Sequence, residues 1–230
     1  MSLFVIGDLH LCCSVDKPMD IFGGWENYME RLQANWQALV SPEDTVVMAG
    51  DLCWALKLEE AEADLRFLEA LPGQKLLLKG NHDYWWSTRT KMEAYFASLG
   101  LKTVGILHNN AVQHGEQLLC ASRGWLFENG APHDRKIVER ECCRIKASLD
   151  SAQQLSPTLE KILFLHYPPV YREQELPEFL ELMEQYEVRR CYYGHLHGAA
   201  CQGAWQGSYR GVEFRLVSAD YLGFTPLKIG

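Results

Sequence analysis

The stretch Lys75-Leu76-Leu77-Leu78-Lys79-Gly80-Asn81-His82-Asp83 decides how the chain is read. Its first part is an apolar run of strand length and suits a short buried strand. Gly80 lets the backbone turn sharply, and three polar side chains follow at the strand's end. Taken alone, this fits an ordinary strand-to-helix turn, because Asn and Asp tolerate unusual backbone angles. The case for chemistry rests on recurrence of the same design elsewhere.

Leu3-Phe4-Val5-Ile6 ends at Gly7 and leads to Asp8 and His10, whose two-residue spacing puts them on one side of an extended segment. Thr45 to Ala49 ends in Gly50-Asp51, and Lys161 to Leu165 ends in His166. Arg190-Cys191-Tyr192-Tyr193 precedes Gly194-His195-Leu196-His197. Between these runs the spacing turns helical. Trp25 to Leu39 carries Met29, Leu32, Trp36 and Leu39, and Leu58 to Leu71 carries Leu58, Ala61, Leu65 and Leu68 before Pro72-Gly73 stops it. Ser87 can cap a helix to about Leu99, and Asp134 a long one facing the core with Val138, Cys142, Ile145, Leu149 and Ala152. A further helix spans roughly Pro177 to Tyr186.

Strands alternating with helices imply a largely parallel arrangement, whose strand carboxyl ends share one edge where ligands bind. From Leu101 to Ala121 the turn signals Gly105, Asn109-Asn110 and Gly115-Glu116 suggest an antiparallel section instead. Val212 to Val217 alternates like a half-exposed antiparallel strand. Ser122 to Trp125 leads into a loop with Asn129-Gly130 and Pro132. No repeat or linker interrupts the pattern, so residues 1–230 are expected to form a single domain.

The apolar share of 47% and charged share of 23% are those of an ordinary soluble globular protein. A net charge of -8 disfavours broad attraction to nucleic acid or anionic membrane. The N-terminus has no basic leader and only a four-residue apolar run, so neither a signal peptide nor membrane insertion is expected, and a cytoplasmic location follows. The eight cysteines show no Cys-x-x-Cys spacing and read as reduced packing residues.

Any one polar residue after a strand is unremarkable. Five successive strand ends that each carry a potential metal ligand are another matter: Asp8 and His10, Asp51, Asn81 with His82, His166, then His195 and His197. His108, His114 and His133 fall elsewhere and read as surface residues. With His82 set aside, two carboxylates, one amide and four imidazoles are too many for one tetrahedral zinc. Nitrogen and oxygen donors without thiolate suit manganese, iron or zinc. They divide over two ions if one carboxylate bridges, and paired metals roughly 3.5–4 Å apart are a recurrent device for phosphoryl chemistry.

Asp8-x-His10, Gly50-Asp51, Gly80-Asn81-His82-Asp83, His166 and Gly194-His195-x-His197, in that order, resemble the signature of the calcineurin-like metallophosphoesterases. The resemblance implies an α/β fold, a four-layer αββα sandwich of two packed mixed β-sheets with helices outside. It implies two divalent metal ions, with Asp8, His10, Asp51 and His197 on one and Asp51, Asn81, His166 and His195 on the other. It implies hydrolysis of a phosphomonoester or phosphodiester by a hydroxide at that dinuclear centre, water's pKa falling from 15.7 to roughly 7 on a metal. Catalytic roles are implied for His82, as acid or hydrogen-bond donor, and for Asp83 as orienter of its ring; Asn81 and His82 are expected to contact substrate. A helix-capping or turn role for Asp83 stands beside the catalytic one.

The flanks bear on substrate. Leu52-Cys53-Trp54-Ala55 stands where eukaryotic-type protein serine/threonine phosphatases carry Val-Asp-Arg-Gly, so a small phosphorylated substrate is preferred to a phosphoprotein. His82 stands where the lipid A pathway pyrophosphatases have Arg. Trp54, Tyr84, Trp85, Trp86, Trp125, Phe127 and Tyr167 crowd the motifs; some could line a pocket, while Trp86 and Trp125 read as core. Arg123 could grip a phosphate bidentately, or form a structural ion pair. Lys136, Arg140 and Arg144 make a basic stripe, read as a solvated helix face. The alternatives are a phosphoprotein phosphatase and a non-catalytic scaffold that keeps the metal-binding fold.

Overall fold

Strand β1 (Leu3–Ile6) is buried along its whole length, and alternation splits its side chains between two layers. Phe4 and Ile6 pack with helix residues, while Leu3 and Val5 meet Ile162 and Phe164 of a second sheet. The next strand, β2 (Thr45–Met48), repeats the division, with Val46 and Met48 toward the helices and Val47 toward the other sheet. This is why the runs are continuously apolar: both faces are covered, and each fully buried Val, Leu or Ile contributes about 1.5–3 kcal/mol.

This computed structural model describes residues 1–125 and 132–230, with the backbone alone at 132–134. The expectations for Phe127, the Asn129-Gly130 turn, the Asp134 cap and the side chains of Pro132 and His133 lie outside the described residues. After β2 come β3 (Gln74–Leu77) and β4 (Val104–Ile106), each parallel to its predecessor. Helices α1 (Tyr28–Leu39), α2 (Glu62–Ala70) and α3 (Arg89–Ser98) make the crossovers, and Leu32, Trp36, Leu65, Leu68, Met92 and Phe96 cover the sheet.

The chain then builds a second sheet. A hairpin of β5 (Asn110–His114) and β6 (Gln117–Ser122) is followed by α4 (Pro132–Leu155) and β7 (Glu160–Leu165). A small hairpin, β8 (Val170–Tyr171) and β9 (Gln174–Glu175), leads to α5 (Pro177–Gln185) and β10 (Arg190–Tyr193). Then β11 (Gly207–Tyr209) and β12 (Val212–Leu216) pair antiparallel, and β13 (Leu227–Lys228) returns to the edge of the first sheet beside β1. The orders are β13-β1-β2-β3-β4 and β11-β12-β10-β7-β6-β5. Helices α4 and α5 cover the second sheet through Val138, Ile145, Leu149, Phe179 and Met183. The layers are those of the αββα sandwich. Among the described residues no helix is long and apolar enough to cross a membrane.

The structure corrects several sequence expectations. The segment 101–121 is not all antiparallel: β4 continues the first sheet in parallel, because it follows a helical crossover, and Gly105 lies within it opposite Leu76. Its second half is the antiparallel hairpin, turning at Gly115-Glu116. β12 does alternate, with Val212, Phe214 and Leu216 buried, but it runs parallel to β10 and only β11 opposes it. The expected helix from Leu58 begins as a tight 3-10 turn, Leu58–Ala61. Helix α3 is capped by Thr88 rather than Ser87, its hydroxyl accepting from the Lys91 amide at 3.4 Å. Leu39 ends α1 exposed, while Tyr28 at its start is buried.

Candidate metal centre

All five motifs follow strands that run parallel within their sheets, so they emerge on one edge where the two sheets meet. Backbone bonds hold the sheets together there: Gly7 N–H donates to Val217 O at 2.7 Å, and Ala219 N–H donates to Gly7 O at 2.9 Å. Two glycines permit the approach. A Cβ at Gly80 would lie 2.1 Å from Asp51 Oδ1, and one at Gly194 would lie 2.2 Å from Asp8 Oδ2. Neither position has room for any side chain.

Two groups of donors converge. In one, Asp8, His10 and His197 offer atoms all within 4.8 Å of one another; in the other, Asp51, His166 and His195 do the same. Asn81 joins the second group, its Oδ1 lying 2.6 Å from His166 Nε2 and 2.9 Å from His195 Nδ1. Asp51 stands between the groups: Oδ2 is 3.5 Å from His166 Nε2 and 3.9 Å from His10 Nε2. Its other oxygen accepts the His82 amide at 2.8 Å, which fixes the carboxylate. Asp8 is held likewise by the His195 amide at 2.9 and 3.0 Å.

The backbone is bent to this purpose. Asp8, His10, Asp51 and His195 all have positive φ, between 46° and 74°. For non-glycine residues such a conformation costs of order 1–3 kcal/mol each and persists only where the surroundings impose it.

Hydrogen bonds settle which ring nitrogens are free. His166 Nδ1 lies 3.1 Å from Ala49 O, and a carbonyl only accepts, so Nδ1 carries the proton and Nε2 keeps its lone pair for the centre. His197 Nδ1 lies 2.9 Å from Asp220 Oδ1, which directs its Nε2 inward in the same way. His10 Nε2 and His197 Nε2 then face each other at 3.4 Å, and His10 Nδ1 is buried with no partner among the described residues. Trp54 stacks on the His10 ring at 4.7 Å between centroids.

Burial and close packing set the charge states of these groups. Burial, with Asp8 nearby, pushes the Asp51 carboxyl up to about 8. Burial lowers His10 and His195 to about 3. Burial works against protonating His197 too, yet bonds to Asp220 and Asp8 outweigh it and lift the ring to about 10. Burial would raise Asp8, but the neighbouring His197, His166 and His10 hold it well below the usual carboxylate range. Two buried carboxylates, facing imidazole nitrogens and an amide oxygen fit divalent cations that accept nitrogen and oxygen. The donors present would hold two.

The remaining expected residues are placed as follows. The His82 ring lies beside His10 and Trp54, at 5.7 and 4.9 Å between centroids, and no hydrogen bond fixes it among the described residues. Asp83 does not orient that ring. Its oxygens accept from the amides of Gly80, Asp51 and Leu52 at 2.7, 3.0 and 2.8 Å, and from Trp85 Nε1 at 3.1 Å. It therefore positions the loops after β2 and β3, and the turn role is the one this geometry supplies. The Arg123 side chain makes no hydrogen bond or ion pair with a ligand of the centre among the described residues; its Nη2 lies 3.5 Å from buried Glu141. Of the aromatics, Trp85 is buried, Tyr84 exposed, and Trp86 and Trp125 half-buried.

Asp220 is the residue that sequence reasoning missed. Its second oxygen accepts the Gly198 amide at 3.0 Å, so it pins both ring and loop. The signal was available: it follows β12, a sixth strand end on the same edge. Asp220→Asn is expected to leave the fold intact and to weaken metal affinity about 10- to 100-fold, as loss of a partner behind a ligating histidine does. Chelator competition measures it; unchanged affinity would remove Asp220 from the centre.

The model of the calcineurin-like phosphoesterase family matches residues 1–199. The chain belongs to that family, and with it to the metal-dependent phosphoester hydrolases. Among curated proteins no match is found. Solved structures share the fold at low identity. A protein of unknown function from Aquifex aeolicus is 17% identical, with 99% of this chain and 95% of that one covered and a TM-score of 0.52. The phosphopantetheinyl hydrolase of Mycobacterium tuberculosis is 16% identical over 99% and 95%, with a TM-score of 0.57. A Thermus thermophilus protein is 16% identical over 85% and 81%, with a TM-score of 0.53.

Proposed function

We propose that this protein is a phosphoesterase with a dinuclear centre, hydrolysing phosphomonoester or phosphodiester bonds of small phosphorylated molecules. The observation that carries the reading is the position of Asp51 Oδ2, within 4 Å of a histidine nitrogen from each donor group. Asp8, His10, Asp51 and His197 would hold one divalent cation, and Asp51, Asn81, His166 and His195 the other. When bound, such ions supply charge stabilisation at phosphoryl oxygens and lower the pKa of water from 15.7 to roughly 7.

The chain's own residues supply orientation and a hydrogen bond to the leaving group. Asp8 and Asp51 return only two negative charges, so the loaded site stays positive and draws a phosphate. Ala49 O and Asp220 hold their imidazoles in the tautomer that presents Nε2. Burial, with His166 and Lys17 nearby, keeps the His82 pKa below its ordinary value, so the neutral ring offers one N–H to the leaving-group oxygen. Trp54 and His10 bound the space in which it can turn.

Protein loaded separately with manganese, iron and zinc, and offered p-nitrophenyl phosphate and bis-p-nitrophenyl phosphate, provides the test. Turnover that chelator abolishes and metal restores is expected with at least one ion. No turnover at full loading with all three would point to the non-catalytic scaffold instead.

A further inference from the structure

Next to the metal centre, on the same sheet edge, lies a cleft of about 550 Å³ that the reaction as described does not use. Lys79, Arg89, Arg123 and Arg144 line it, with His108 and Asn109. Among the described residues no Asp or Glu lines it. Lys79 ends the β3 run two residues before Asn81, and the Arg123 carbonyl accepts the His166 amide at 3.1 Å. Cleft and centre thus share the loop after β3, and the loop after β6 braces the one that carries His166.

Among the described residues, carboxylates are fewer than the cations at this cleft. Arg123 and Arg144 both reach Glu141 Oε1, at 3.5 and 2.5 Å, and Arg140 approaches it at 3.8 Å. One buried carboxylate therefore answers three guanidiniums. Arg89 pairs with Glu93 at 2.6 Å, and Lys79 has no carboxylate within ion-pair distance among the described residues. Arg123 Nε and His108 Nδ1 are buried without a hydrogen-bond partner among the described residues. Burial and the charges of Arg144, Lys79 and Arg123 push His108 down to about 3, so it is a neutral ring within a positive field. In a chain of net charge -8, so concentrated a surplus of donors is a recess for an anion. Its size is that of a small-molecule pocket rather than a polymer groove.

We propose that this cleft is a second anion subsite, which holds a phosphate that the substrate carries apart from the ester being cleaved, so that the substrate class is small molecules with two separated phosphates. Arginine forks suit the oxygens of such a group. The proposal rests on the phosphoesterase reading above, since the first phosphate is the one presented to the metal centre.

The test uses the metal-loaded protein and two series of probes, α,ω-alkanediol bisphosphates from ethanediol to hexanediol and the n-alkyl monophosphates of the same lengths. Calorimetry reads affinity and phosphate release reads turnover. At the length that spans the two sites, the bisphosphate should bind and turn over at least about tenfold better than its monophosphate, the scale of one charge-assisted hydrogen bond. Lys79→Gln should reduce that ratio about tenfold, and Lys79→Arg should restore it. Asn109→Asp puts a negative charge in the cleft, at a position whose φ of 59° Asp tolerates, and should reduce the ratio at least as far. Both variants leave the arginines on Glu141 in place. A ratio near one at every length, or one unmoved by both variants, overturns the subsite. A preserved affinity ratio without turnover of any probe would retain the subsite and sink the phosphoesterase reading instead.

Discussion

Asp51→Asn is expected to lower metal occupancy more than any other single substitution, with affinity falling beyond the roughly 10- to 100-fold seen for partners outside the coordination shell. The geometry gives the reason. Oδ2 of Asp51 faces His166 Nε2 at 3.5 Å and His10 Nε2 at 3.9 Å, so one atom serves both donor groups. An amide has the same shape but no charge, and it must turn either its oxygen or its NH2 toward the centre. Folding should survive. Asn tolerates the φ of 50° at this position and can still accept the His82 amide through its oxygen. It also removes one of the two buried carboxylates in the donor set, so the metal-free variant should melt no lower than the metal-free wild type. Elemental analysis of dialysed protein reads the outcome. Full occupancy in the variant would deny Asp51 its bridging place.

His82→Ala is expected to do the opposite: keep the metals and lose turnover by about 100- to 1,000-fold, the usual contribution of one hydrogen-bond donor aimed at developing charge. Only the backbone of His82 supports a ligand, through its amide on Asp51 Oδ1, and alanine retains that amide. The ring touches no donor by hydrogen bond and lies against Trp54 and His10. The loss should be largest on alkyl phosphates, whose leaving alkoxide needs a proton, and smallest on p-nitrophenyl phosphate, whose phenolate leaves unaided. An equal loss on both would assign His82 to phosphate binding alone. An undiminished rate on alkyl phosphates would end its catalytic role.

The strand ends were legible because a strand covered on both faces shows as an unbroken apolar run, and a glycine with a polar cluster marks where it stops. Leu3 to Ile6 and Lys161 to Leu165 are of this kind, and the structure brings Asp8 and His166 together from opposite sheets. Strand direction was harder. Nothing in the alternation of Val212 to Leu216 tells a parallel strand from an antiparallel one, and for that reason Asp220 was not seen as a member of the converging edge. Asp83 shows a different limit. Sequence adjacency to His82 suggested a partnership, yet the turn sends Asp83 onto four buried donors and leaves the imidazole beside Trp54. Lys75 opens the central run and is buried, its ammonium donating to Leu71 O and Gly73 O at 2.6 and 2.7 Å beyond the end of α2. Carbonyl groups left over at a helix end absorb a lysine that pattern alone would leave in solvent.

Seven residues from both sheets would hold two ions through one shared carboxylate. Equilibrium dialysis of chelator-stripped protein against manganese, followed by metal analysis per chain, counts those ions. Wild type should saturate at two ions per chain, and Asp51→Asn at one or fewer. Saturation of the wild type at a single ion, or no retained metal, would rule out the shared-carboxylate pair.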